Sequence, residues 1–338
     1  MERKEMTRRS ALKIMGSAAL AALAAGTGVS ALGSCSTRKT RRVVLYFTGT
    51  GNSLYIARQL AGAEGETLSI PQLMRRQQFD IEADEIGIVY PIYGHMPPNM
   101  VRHFVQKARL CAGYTFAVLT YGNRKCNAVE IWDGIARAAG NPFDYIGTIV
   151  MVDNWLPNFD MNEQIKIDKH IPENLARIGE DIAAQRHWHE PVTAEQRAQH
   201  QEFMQRTGLD PETGFLLRSE QQFTVTDVCI ECGICTYVCP RGNYTLGHRG
   251  VSMEGDCEFC FACIQNCPQR AIQFVKHTDG TWPDGSEKNP NARYRNEHVS
   301  LMDLKLANNV VTKDVAPNTV VGGVPARFIK QIKEGRDE

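Results

Sequence analysis

From residue 43 onward the chain repeats one pattern: a short apolar run, a polar loop carrying glycine, then apolar positions at helical spacing. Val43-Val44-Leu45-Tyr46-Phe47 is apolar throughout, as in a strand covered on both faces. Thr48-Gly49-Thr50-Gly51-Asn52-Ser53 turns polar, and Leu54, Ile56, Ala57 and Leu60 follow on one face of a helix. Further strands are expected at Glu66 to Ile70, Ile86 to Tyr90, Tyr114 to Thr120 and Ile146 to Val152. Helices are expected over Met100 to Ala108, Ala128 to Ala139 and Glu173 to Gln185. Strands alternating with helices predict an α/β, doubly wound parallel sheet.

The first loop carries chemistry. Glycines let the backbone approach an anion, hydroxyls donate, and a helix N-terminus adds unpaired N–H groups and a favourable dipole. The run Thr48-Gly49-Thr50-Gly51-Asn52-Ser53 resembles the FMN phosphate loop of flavodoxins, with more hydroxyls than a dinucleotide loop and no third glycine. The resemblance covers about residues 43–186 and implies strand order 2-1-3-4-5, with ligands outside the carboxyl ends of the strands. Two more loops fall on that edge. Tyr93-Gly94 follows the third strand, with Tyr93 a candidate to stack on the flavin, and Tyr121-Gly122-Asn123 follows the fourth and wraps the ring by family analogy. His95 is expected in solvent. Cys111 and Cys126 flank the fourth strand, roughly 20 Å apart at about 3.3 Å per residue, too far for a disulfide. Cys111 reads as a buried small hydrophobe and Cys126 as a thiol near the flavin edge.

Eight of the eleven cysteines lie in two copies of one spacing, 28 residues apart: Cys229, Cys232, Cys235, Cys239-Pro240 and Cys257, Cys260, Cys263, Cys267-Pro268. Three cysteines at this interval can hold three corners of a 4Fe-4S cube while the fourth points elsewhere. Zinc sites or disulfides would use Cys-x-x-Cys pairs but predict no third cysteine at the same interval. From about Phe223 to Lys276 the run resembles bacterial two-cluster ferredoxins. The resemblance implies that each fourth cysteine serves the other run's cluster. Cys229, Cys232, Cys235 and Cys267 then hold one cube, and Cys257, Cys260, Cys263 and Cys239 the other.

At 338 residues the chain has room for two domains. Lysines and arginines match aspartates and glutamates at 38 each, which offers no electrostatic case for nucleic acid. The balance is uneven: residues 1–34 carry +3 and the remainder −3. Thr7-Arg8-Arg9-Ser10-Ala11-Leu12-Lys13 resembles a twin-arginine export motif, with Ala11 where phenylalanine is common, and an Ala- and Gly-rich run follows. Leu32-Gly33-Ser34-Cys35 resembles a lipoprotein signal-peptidase box, which implies acylation of Cys35 and a lipid anchor. The expected location is the outer face of the bacterial cytoplasmic membrane, or the cytoplasm if the leader is not functional.

The divisions expected are a signal at 1–34, a linker at 35–42, the flavodoxin-like domain at 43–186, a helical linker at 187–222, the ferredoxin domain at 223–278 and a tail at 279–338. His187, His189 and His200 in the linker lack a convincing ligand interval and read as solvated. The tail stretch 309–327 resembles the closing coil of hexapeptide-repeat acyltransferases but is too short to stack, and reads as a fusion remnant or docking tail. The combination resembles the bacterial family fusing a flavodoxin-like domain to a two-cluster ferredoxin. It implies an electron-transfer protein carrying FMN and two 4Fe-4S clusters and serving membrane-associated redox proteins; the other reading is a flavin-dependent reductase fed by the clusters.

Overall fold

The computed structural model describes residues 40–210, 217–247, 250–274, 292–308, 319–322 and 327–331. The leader, Cys35 and most of the hexapeptide-like stretch lie outside these residues. From Thr40 the chain forms one compact unit.

The expected strands are present as β1 (Arg42–Tyr46), β2 (Glu66–Ser69), β3 (Glu85–Pro91), β4 (Tyr114–Tyr121) and β5 (Tyr145–Val150). They pair in parallel in the order β2-β1-β3-β4-β5. Val43, Val44, Leu45, Ile86, Ile88 and Val89 are fully buried, as continuous apolar runs require when helices cover both faces. Gly87 is needed in β3 because a Cβ there would collide with the Phe116 ring of the neighbouring strand. A two-residue strand, β6 (Trp188–His189), extends the sheet beside β5. They fall in the stretch expected as linker, since two residues show no periodicity.

The cysteine-rich part is built twice on one plan. Short helices Ile234–Val238 and Ala262–Asn266 follow left-handed residues Gly233 and Phe261, 28 positions apart. Glu231 and Phe259, then Gly242 and Arg270, repeat the left-handed backbone at the same offset. Antiparallel strands Phe223–Val225 and Ile272–Phe274 close the unit. Its core is aromatic: Phe223, Phe259, Phe261 and Phe274 meet one another, and Trp155 from the loop after β5 stacks on Phe261 at 5.0 Å.

Residues 292–308, within the stretch expected as tail, pack on the rest of the molecule. The helix Leu301–Asn308 packs its buried Leu304 and Ala307 against the rest of the molecule. Ser69, Gln72 and Arg75 donate to carbonyls at Ala307, Leu306 and Asn308, while Asn308 donates to Val238 O at 3.0 Å. One strap thus ties the sheet half to the cysteine-rich half. Farther on, Thr319–Gly322 and Arg327–Gln331 pair antiparallel, unlike the parallel rungs of a solenoid coil.

Candidate functional site

The loops at the carboxyl edge of β1, β3 and β4 converge on a cavity of about 370 Å³. Thr48, Gly49, Thr50, Asn52, Ser53, Tyr93, Gly94, Tyr121, Gly122 and Asn123 all line it. Gly51 sits behind, in the left-handed region at φ 102°, where a Cβ would stand 2.9 Å from Val299. The loop is held from within and without. Thr48 Oγ1 accepts the Gly51 amide at 3.0 Å, Ser53 Oγ bonds Thr120 Oγ1 at 2.8 Å, and Asn154 donates to Thr50 Oγ1 at 2.8 Å. The Asn52 side chain donates to Val152 O and accepts from Tyr294 Oη at 2.6 Å and Asn296 Nδ2 at 3.1 Å. It fixes the loop and is already engaged by protein.

Tyr93 is half-buried, edge-on to Phe47 at 6.4 Å, and burial of its hydroxyl holds the phenol well above the ordinary range. Its hydroxyl is enclosed, has no hydrogen-bond partner among the described residues, and lies under the influence of Cys260, Glu258 and Cys257 of the cysteine-rich part.

Three parts of the wall carry no sequence signal. The loop after β5 contributes Asp153, Asn154, Trp155, Asn158 and Phe159; the helix Ala194–Thr207 contributes Phe203, Arg206 and Thr207; and Phe259 enters from the cysteine-rich part. The helix has no buried residue and no apolar face, so its sequence says only that it is solvated.

That helix overturns the expectation for His95, which is 4 % exposed. Its Nδ1 lies 3.3 Å from His200 Nδ1 and its Nε2 3.3 Å from Cys126 Sγ, with Phe203 packed on the ring at 4.5 Å. Burial, then His200, Arg124 and Arg206, push its pKa down to about 4. Burial also raises the Cys126 thiol, which makes it a poor nucleophile. Cys111, expected to be buried, is exposed, because it belongs to a short strand, Arg109–Cys111, at the edge of the molecule. Both thiols are free.

The eight remaining cysteines line two small cavities in a crossed arrangement. One is walled by Cys229, Cys232, Cys235 and Cys267 and the other by Cys239, Cys257, Cys260 and Cys263. Backbone amides point at the sulfurs: Asn243 N to Cys239 and Ala271 N to Cys267 at 3.4 and 3.2 Å, and Phe259 N to Cys257 at 3.3 Å. Burial holds the thiols of Cys257, Cys260 and Cys263 far above the usual range, and Cys235 is pushed up to about 12. As free thiols they are neutral, and iron would displace their protons. Among the described residues no three His, Cys, Asp or Glu side chains are placed to hold a single ion. Four sulfurs spread around a cavity fit a cluster with several irons.

The second cysteine cavity abuts the larger one. A Cβ on Gly49 would stand 3.0 Å from Cys260 Cβ and closer still to its carbonyl oxygen. Phe259 lines the large cavity from between Cys257 and Cys260, and those two thiols also act electrostatically on the Tyr93 phenol.

A family model described as a 4Fe-4S dicluster domain matches residues 222–279. No curated protein matches the chain. Among solved structures, a flavoprotein in complex with FMN from Lactobacillus acidophilus NCFM is 13 % identical, covering 32 % of this chain and 93 % of its own, with a TM-score of 0.25. The Trp repressor binding protein from Bacillus subtilis is 14 % identical, covering 33 % and 83 %, with a TM-score of 0.24. The strand order given above stands on its own register. The molecule joins a parallel sheet of flavodoxin-like order to a 4Fe-4S ferredoxin-type domain.

Proposed function

We propose that the protein is an electron relay in which two 4Fe-4S clusters are wired to one FMN. The observation that carries this reading is the close approach of the two sites, where Gly49 of the first loop packs on Cys260, and where Phe259, which lies between Cys257 and Cys260 in sequence, lines the large cavity. FMN exchanges electrons in pairs or singly and each cube carries one, so the assembly converts between the two modes. Thr48, Thr50, Ser53 and the amides opening the helix at Asn52 would receive the phosphate. Tyr93, Gly94, Tyr121, Gly122 and Asn123 would flank the ring, and Trp155 from the loop after β5 joins them. Cys239, Cys257, Cys260 and Cys263 would hold the inner cluster, and Cys229, Cys232, Cys235 and Cys267 the outer one.

Cys232 is exposed, which makes the outer cluster the place where a redox protein exchanges electrons. The protein purified without oxygen is expected to contain about eight irons, about eight labile sulfides and one FMN. A colourless protein, or one that keeps its iron and never takes up FMN, sinks the relay.

The leader adds a location. Among the described residues no helix is long and apolar enough to cross a membrane. We propose that Arg8 and Arg9 direct export of the folded, loaded protein and that Cys35 then carries the lipid that anchors it. Replacing both arginines by lysine is expected to leave the protein unprocessed in the cytosol, as fractionation and mass measurement would show; normal membrane attachment of that variant contradicts the proposal.

A further inference from the structure

The large cavity is chemically divided. Its hydroxyls and helix-opening amides lie after β1, whereas Arg124 follows β4, two strands away and so roughly 10 Å across the sheet edge at about 4.8 Å per strand. A phosphate seated on the first loop therefore sends the flavin ring toward Gly94, Gly122 and Arg124. Arg206 lines the same cavity from the 194–207 helix, with its guanidinium 6.0 Å from the Phe203 ring centroid. Arg124 and Arg206 both act on His95, which places them around one end of the cavity.

The charges at that end do not cancel. Among the described residues neither arginine is paired with a carboxylate. The acidic side chain in the wall, Asp153, accepts the Trp155 amide at 2.9 Å and interacts with Lys169, whose Nζ donates to Gly122 O at 3.4 Å. His95 and His200 are both lowered by burial and stay neutral near pH 7. Elsewhere the helix spends its charge on attachment, as Arg197 grips Glu130 through Nε at 2.9 and 3.1 Å and through Nη2 at 2.5 Å.

We propose that Arg124 and Arg206 form an anion site at the ring end of the FMN cavity, holding the negative charge that the flavin gains on reduction. This rests on the FMN reading above. A flavin bound there would carry a single added negative charge after gaining two electrons, supplied by the clusters, and one proton from water. Two nearby cations favour that anion over the fully protonated neutral form, and the oxidised ring has no such charge to hold. The same arrangement gives the linker helix a purpose: it delivers Arg206 to the cavity that the sheet loops line from the other side.

The test uses the full-length protein, loaded with its clusters and prepared without oxygen, with Arg124→Gln, Arg206→Gln, the double variant and Arg206→Lys. The probes are FMN and dithionite-reduced FMN. Oxidised FMN is expected to bind all of them within about threefold, while reduced FMN binds the double variant about tenfold more weakly than it binds the original protein. The slope of flavin potential against pH should rise from one proton toward two protons per electron pair. Arg206→Lys should retain most of the original behaviour. Unchanged affinity for reduced FMN with an unchanged proton count overturns the arginine assignment and leaves the FMN reading standing. An original protein that takes up no FMN overturns both.

Discussion

Alanine at Cys239 should empty the cavity of Cys257, Cys260 and Cys263 and leave the outer cluster in place, lowering iron from about eight to about four per chain. Cys239 belongs by sequence to the first run, yet its side chain lines the cavity of the second. Its mirror image is Cys267, which lines the cavity of the first run. Cys239→Ala and Cys257→Ala should therefore share one phenotype, and Cys267→Ala and Cys235→Ala another. Iron and sulfide analysis with EPR of the reduced proteins separates the pairs. If Cys239→Ala instead matches Cys235→Ala and differs from Cys257→Ala, the crossed assignment is wrong. Losing the inner cluster should also isolate a flavin seated on the 48–53 loop, because that cavity is the one whose Cys260 packs against Gly49.

Gly49→Ala should damage both halves of the molecule at once. The added carbon meets the backbone of Cys260, which cannot swing aside as a flexible side chain would. Either the phosphate loop or the segment carrying Cys257, Cys260 and Cys263 has to give way. Overpacking of this kind costs about 1–3 kcal/mol, enough at about 1.4 kcal/mol per factor of ten to weaken FMN retention by roughly ten- to a hundredfold. Gly134→Ala is the matched control: it lies in the helix Ala128–Ala138 with open space around it, and should be neutral or stabilising by roughly 0.5–1 kcal/mol. Thermal unfolding and FMN content of the two variants decide the matter. Equal melting temperatures and equal flavin would show that the loop and the cluster segment are not in contact in solution.

Much of this was legible before any coordinates. Apolar runs such as Val43 to Phe47 are local signals, and their alternation with helices carried the parallel sheet, whereas the strand order and the crossed cysteine sets were legible only through resemblance to known families. What escaped depends on contacts between distant residues. The 194–207 helix is polar all round, and its place over the cavity shows only through Arg197 reaching Glu130, 67 residues earlier, and His200 reaching His95, 105 residues earlier. His95 was misread for the same reason, since nothing in its neighbourhood in sequence covers it. Trp155 lies in an irregular loop with no period to betray a buried face. Cys111 was read from its type, small and apolar, whereas its edge strand decides its exposure.

The bonds from Tyr294 and Asn296 to Asn52 span 242 and 244 residues. A ribosome therefore has to add 244 residues after Asn52 before the side chain that opens the first βα turn acquires its final neighbours. The first βα loop is thus completed only after both cysteine runs have left the ribosome.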